Sequence, residues 1–277
     1  MAPIGARELL DGVRVRRHTL PTLSSVALEV WKLTRDQKYD FGAVAGLLRR
    51  EQRLAGRVLG LAQSPRFHCP IPPTSIEDAV RRLGGSTIGD LVLETAVTMS
   101  VLHAPGFEAV VDEVRHHTLV VSQLSVEVAR ARGSDVGHAF IVGLLHGVGA
   151  VYLLLVAGDE ARASQRPLPR LGDLRTDLSR GNATAGAFLA EHWGLPLPVV
   201  RAIGAQDTED LSDLGATLRV AKYLAQHHAR CPNPIALPTL RVPLEQDVGQ
   251  LSVRARIRLV EMARGLRCGE QPERKVS

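Results

Sequence analysis

The stretch AFIVGLLHGVGAVYLL, residues 139–154, is an almost unbroken apolar run with one imidazole, His146, in its middle and a glycine, Gly147, directly after it. A segment that is apolar on every side cannot lie on a solvated surface, so it has to form the buried centre of the fold. With its flanks, residues 134–158, it reads as one central helix with Ser134 or Asp135 as its N-cap. The apolar part, residues 141–157, is interrupted by His146 and three glycines. It falls short of the ~20 residues that span a bilayer, so no membrane insertion is expected.

The rest of the chain supplies helices to surround that centre. Apolar residues make up 45% of the 277 residues but aromatics only 4%, so the core has to be built from Leu, Val and Ala, which favours close helix-on-helix packing. Val26, Ala27, Val30 and Leu33 recur at helical spacing, with Ser24 or Ser25 as cap, and residues 41–48 and 54–62 repeat the i, i+3, i+4 pattern. A proline-rich loop delivers Ser75 as the cap of the next helix, Gly84 and Gly85 stop it, and Ser86 or Thr87 opens another. From Phe107 the pattern lengthens into one long helix, or two in succession, closed by Gly133. Residues 161–181 read as a polar connector with a short helix, and residues 182–196 as a helix ended by Gly194-Leu195-Pro196. Pro198 opens the next helix, and residues 213–231 form another. Pro232, Pro234, Pro238 and Pro243 make a loop before a basic amphipathic helix over residues 248–266, with Leu251, Ile257 and Leu259 apolar and Arg254, Arg256 and Arg258 charged. No stretch alternates apolar and polar residues over strand length, so the expected fold is all-α, a two-lobed helical bundle. The expected divisions are residues 1–105, 106–230 and a C-terminal loop and helix over 231–277.

The formal net charge is +5 and the pI about 9.5, with arginines far outnumbering lysines. Such a balance permits contact with nucleic acid, but the arginines are dispersed and no arginine block is interleaved with aromatics, so nucleic acid is not the expected partner. Cys69, Cys231 and Cys268 lie far apart and form no CxxC pair, which reads as reduced thiols. The opening MAPIGARELLDG lacks the charged and apolar regions of a secretory signal. A cytoplasmic location is expected.

The order of several segments now carries a resemblance. Residues 20–30 (LPTLSSVALEV), 54–67 (LAGRVLGLAQSPRF), 70–93 (PIPPTSIEDAVRRLGGSTIGDLVL), 116–129 (HHTLVVSQLSVEVA), the His146 run and 182–203 (NATAGAFLAEHWGLPLPVVRAI) stand as in an HDOD domain. The resemblance implies an all-helical fold related to the HD-domain metal-dependent phosphohydrolases, used in bacterial signalling and regulation. It also implies an incomplete metal site and no family-wide enzymatic activity, so residues 106–230 are expected to form a degenerate HD-like lobe. The chain departs from the pattern at Glu51-Gln52, where Asp-Pro is usual, and at Gln63-Ser64, where Asn-Ser is usual.

A hydrolytic HD site combines histidines with carboxylates, which hold a divalent metal and leave positions open for water and phosphate. By the resemblance, His117 and His146 stand at two histidine positions. The Asp beside the second histidine is replaced by Gly147, and the later Asp by Lys222. Positions that carry histidine in many active relatives hold Asn182, Gln206 and Asp207. No catalytic residue, metal ligand or cofactor is therefore expected, and these four vestigial positions (His117, His146, Gly147, Lys222) are the remnant of the site. His146 is expected to be a core histidine bonded to His117 or to a backbone carbonyl, with Gly147 and Gly149 permitting close helix packing. The chain has no GxSxG elbow, P-loop or GxGxxG after a strand. His68 beside Cys69 reads as a loop residue, His227 and His228 as a helix end, His103 and His138 carry no signal, and Trp31 and Trp193 read as packing residues. The expected role is a non-catalytic regulatory module whose unidentified signalling partner acts in trans through protein contacts. The alternatives are a divergent metal-dependent phosphohydrolase acting on a nucleotide, and nucleotide or nucleic-acid binding without turnover.

Overall fold

Six of the twelve described helices start at a serine or aspartate whose side chain accepts a hydrogen bond from a first-turn amide, a role these short polar residues fill well. The computed structural model describes residues 20–36, 38–64, 67, 72–208, 212–235, 247–248 and 251–266, and among these there is no strand. His68, Cys69, Cys268, Pro238, Pro243 and the N-terminal residues read above lie outside the described residues. The chain is all-α, as its periodicity requires, and divides into two compact units.

One unit is residues 22–101 and holds α1 (Ser25–Leu33), α2 (Phe41–Arg49), α3 (Gln52–Ala62), α4 (Ile76–Leu83) and α5 (Gly85–Ser100). Ser24 caps α1 through the Ala27 N–H at 3.1 Å, and Ser75 caps α4 through the Asp78 N–H at 3.1 Å. Gly84, at φ +76°, ends α4 and starts α5. The opening of α5 is therefore glycine rather than Ser86 or Thr87, because only a residue without a Cβ turns so sharply between two helices. Val30, Trp31, Leu48, Leu54, Val58, Val80, Ile88 and Leu93 are buried in this unit. Each such large side chain contributes about 1.5–3 kcal/mol on leaving water.

The other unit comprises residues 102–266 with Leu20 and Pro21. It holds α6 (Glu108–Arg132), α7 (Val136–Leu145), α8 (Val148–Ala163), α9 (Leu171–His192), α10 (Leu197–Gly204), α11 (Asp213–His227) and α12 (Val253–Gly265). α6 is one 25-residue helix that packs on α7 and α11, and Gly133, left-handed at φ +72°, ends it. Asp135 caps α7 through the His138 N–H at 2.9 Å. Where a connector and a separate helix were expected, α9 runs unbroken for 22 residues. Leu174 and Leu178 extend the buried stripe of Ala185 and Leu189 through the polar-looking half, so one face is apolar along its whole length.

Three further expectations are corrected. The central apolar helix is two helices, α7 and α8, broken at His146-Gly147. Most of the apolar stretch Val136–Ala163 is buried inside this unit, as in a core helix. In α12, Leu259 and Ala263 are buried while Ile257 is 55% exposed. Residues two apart on a helix face nearly opposite ways, so Ile257 and Leu259 cannot share the inward side. Cys231, expected as a reduced thiol, is disulfide-bonded.

Candidate functional site

The break at His146-Gly147 has a specific cause. In a continuous helix the His146 carbonyl would accept from the Ala150 N–H, four residues on. Here the Asn182 side chain of α9 stands between them. Its Nδ2 donates to the His146 carbonyl at 2.8 Å, and its Oδ1 accepts from the Ala150 N–H at 2.9 Å. One buried amide thus replaces one backbone hydrogen bond with two and leaves neither group orphaned. Gln206 adds a second donor, Nε2 to the His146 carbonyl at 2.9 Å, and its Oε1 accepts from Lys222 Nζ at 3.2 Å. Lys222 also donates to Asp207 Oδ1 at 2.9 Å.

Gly149 lets α9 come this close. A Cβ there would strike the Asn182 carbonyl oxygen and stand 2.5 Å from the Gly186 nitrogen. A Cβ at Gly147 would stand 2.9 Å from Thr118 Cγ2 and 3.0 Å from Val114 Cγ1. Both glycines lie in tight helix contacts, as expected.

On the far side of His146 the two imidazoles meet. His117 and His146 are buried, with ring centroids 5.2 Å apart and planes at 64°. His117 Nδ1 lies 2.9 Å from the Cys231 carbonyl oxygen, and His146 Nδ1 lies 2.7 Å from that of Gly143. A carbonyl only accepts, so each Nδ1 carries the proton and each Nε2 presents a lone pair. Both Nε2 atoms are buried without a hydrogen-bond partner. Burial pushes His117 down to about 4 against the opposing pull of the Cys231 carbonyl, and the Lys222 charge adds to the lowering. His146 is held well below the ordinary imidazole value by burial first, then by His117 and Lys222.

The structure therefore brings His117 and His146 together and places Gly147, Asn182, Gln206 and Lys222 around them. Asp207 holds the Lys222 ammonium. This donor set does not suit a hard divalent ion. Two neutral imidazoles bring no negative charge, an ammonium stands close by, and position 147 has no room for a carboxylate without displacing Thr118 and Val114. Among the described residues no three His, Cys, Asp or Glu side chains come together as a metal-sized group.

The remaining singled-out residues have local roles. Glu51 Oε2 accepts from Ser24 Oγ at 2.5 Å, and Gln63 Nε2 donates to the Pro73 carbonyl at 2.9 Å, so both departures from the family pattern tie α1 and a loop into their own unit. Trp31 is buried with the Arg35 guanidinium 5.5 Å from its ring centre, and Trp193 Nε1 donates to the Pro21 carbonyl at 2.9 Å. His227 packs on Tyr223 with ring centroids 4.5 Å apart, and His138 Nδ1 lies 3.0 Å from Asp135 Oδ2. What sequence reasoning missed is that Asn182 and Gln206 clamp a helix break. Its one sequence signal is an asparagine inside a small-residue helix stripe, an uncommon choice unless the amide is bonded.

Comparison with known proteins agrees with this architecture. A crystal structure of an HDOD domain protein with unknown function from Geobacter sulfurreducens is 22% identical, with a TM-score of 0.68, covering 93% of this chain and 92% of that one. A protein from Shewanella amazonensis SB2B, provisionally named a phosphohydrolase, is 27% identical with a TM-score of 0.62, covering 92% of each chain. An uncharacterized protein of Treponema pallidum is 25% identical over 205 residues, which are 71% of this chain. The chain spans only 39% of the length of that curated relative. The HDOD domain profile matches residues 20–209, and the chain belongs to the HDOD domain family.

Proposed function

We propose that the protein is a non-catalytic signalling or regulatory module of the bacterial cytoplasm that works through protein contacts. The observation that carries this reading is Lys222. By the HD-like pattern its position asks for a carboxylate, but its ammonium group is pinned by Gln206 and Asp207 beside two neutral histidines. The vestigial positions His117, His146, Gly147 and Lys222 then serve the fold: the imidazoles fill the core and the amides fix the break between α7 and α8. A family used in regulation, with a site short of negative charge, supports binding rather than turnover.

A second reading is favoured by one observation, the provisional phosphohydrolase name of the 27%-identical Shewanella protein. One experiment separates the two. Metal content is measured after purification with manganese, iron or zinc present, together with hydrolysis of nucleoside phosphates and of a chromogenic phosphodiester. The regulatory reading expects no stoichiometric metal and no turnover. Bound metal and hydrolysis that both disappear in His117→Ala would establish the phosphohydrolase.

A further inference from the structure

Helix α12 lies beyond residues 20–209, the span the family profile matches. Its inward face is committed. Leu259 and Ala263 are buried, and the helix packs on α6 and α11. Just ahead of it, Asp247 is clamped by Arg219, with Nε to Oδ2 at 2.7 Å and Nη2 to Oδ1 at 3.1 Å, and Arg132 Nη1 donates to the Asp247 carbonyl at 3.2 Å. A buried bidentate pair of this kind fixes orientation as well as position.

The outward face is not committed. Val253 and Ile257, one turn apart, are 69% and 55% exposed. Arg254 and Arg258 run along their edge, Arg264 continues the face two turns on, and Glu261 is its one acidic residue. None of Arg254, Arg258 and Arg264 makes a hydrogen bond or ion pair with any described residue. An exposed aliphatic pair beside unpaired guanidiniums asks for a partner that is apolar in the middle and anionic at its margin. Nucleic acid would meet the arginines but leave both aliphatics without a stacking role, and α12 offers no aromatic platform. A bilayer surface favours Trp, Phe and Leu on the apolar side, and this face has none of them.

We propose that the outward face of α12 docks an acidic amphipathic helix of a protein partner. Apolar residues at i and i+4 of that helix pack on Val253 and Ile257, and Asp or Glu at its flanks pair with Arg254 and Arg258. The proposal rests on the reading of the chain as a protein-contact module and names where the contact is made.

The test uses the full chain and a fluorescent synthetic helix with leucines at i, i+4 and i+7 and glutamates on both flanks. Phosphatidylglycerol vesicles and single- and double-stranded DNA are run in parallel. The peptide is expected to bind, and Ile257→Asp and the double change R254E/R258E are each expected to weaken it by about tenfold or more, the effect of losing ~1.4 kcal/mol. Both variants change exposed side chains, so an unchanged thermal midpoint separates lost docking from lost folding. A photo-crosslinker at Ile257 in the native cell then reports the real occupant, and an acidic amphipathic helical segment is the expected product. The proposal is overturned by a peptide that does not bind, by equal binding to the variants, or by vesicles or DNA taking its place. A cross-link to residues 267–277 of the same chain overturns it as well. Failure here in a metal-free, inactive protein leaves the regulatory reading intact, whereas hydrolysis lost in His117→Ala removes that reading whatever α12 does.

Discussion

The two compact units bury polar groups on different scales. Among the described residues the α1–α5 unit buries one polar side chain, Thr34, whose hydroxyl donates back to the Val30 and Trp31 carbonyls of its own helix. The α6–α12 unit buries eleven, and several of them bond across helices. The first core is held by apolar burial, which is non-directional and tolerates change of shape. The second depends on particular atoms meeting: Asn182 and Gln206 on the His146 carbonyl, and Arg219 on Asp247. An apolar core loses stability by degrees, while a polar seam fails when one partner moves, because the group left behind stays buried and unsatisfied. The chain's two tryptophans allow each unit to be watched separately. Trp31 belongs to the first unit and Trp193 to the second, so variants keeping one of them report unfolding unit by unit.

The largest expected effect is Gly149→Ala. The new methyl would land on the Asn182 backbone, and no rotation of a flexible side chain relieves a backbone clash. α9 has to retreat, which also withdraws the Asn182 amide from the His146 carbonyl and the Ala150 N–H. A loss on the order of 4 kcal/mol is expected, beyond the usual cost of overpacking because two buried backbone groups lose their partner together. Urea unfolding followed through Trp193 checks it. A change below about 1 kcal/mol would mean that α8 and α9 are not locked by this contact.

This crossing also marks the limit of what the sequence discloses. Helix existence and most caps are local, and they are legible: Ser24, Ser75, Asp135 and Gly133 act as their residue types predict. The pairing of His117 with His146 was legible only through a family resemblance, since 29 residues separate them and no periodicity relates their faces. The break at His146 was not legible. The run around it satisfies every local criterion for one continuous helix, and the group that interrupts it, Asn182, lies 36 residues away. The exposure of Ile257 was hidden for the same reason. Several apolar residues were available to face inward, and the packing of α12 on α6 and α11 decided which of them did.

Acid sharpens the comparison at intermediate size. The described part of the α1–α5 unit contains no histidine, while the other unit buries two that are neutral in the fold. His117 is held down to about 4 by burial, and His146 is lowered as well. Between the ordinary value near 6.5 and the depressed one, the unfolded chain binds protons that the folded chain does not. Stability therefore rises with pH across that window and is lost as pH falls from about 6.5 toward 4. For His117 alone the difference amounts to about 3 kcal/mol, and His146 acts in the same direction. Urea midpoints at pH 7 and pH 4.5 should diverge for the Trp193 signal more than for the Trp31 signal. Equal shifts of both would show that the histidine pair is not the acid-sensitive element.

The smallest effect reverses the sign of the first. Gly56 lies within α3, and a Cβ built there meets nothing within 4 Å. Its backbone is ordinary helix, so the glycine supplies neither a turn nor a close approach. Its cost is entropic, because the unfolded chain has more freedom to lose at that position. Gly56→Ala should therefore stabilise the α1–α5 unit by about 0.5–1 kcal/mol, read as a higher urea midpoint of the Trp31 signal with the Trp193 signal unmoved. The same chemical change thus separates the two units: a methyl group that one core cannot admit at Gly149 rests harmlessly on the outside of the other. Should Gly56→Ala destabilise instead, the exposed face of α3 is covered in solution by something that approaches its backbone closely, and the simpler unit has an interface of its own.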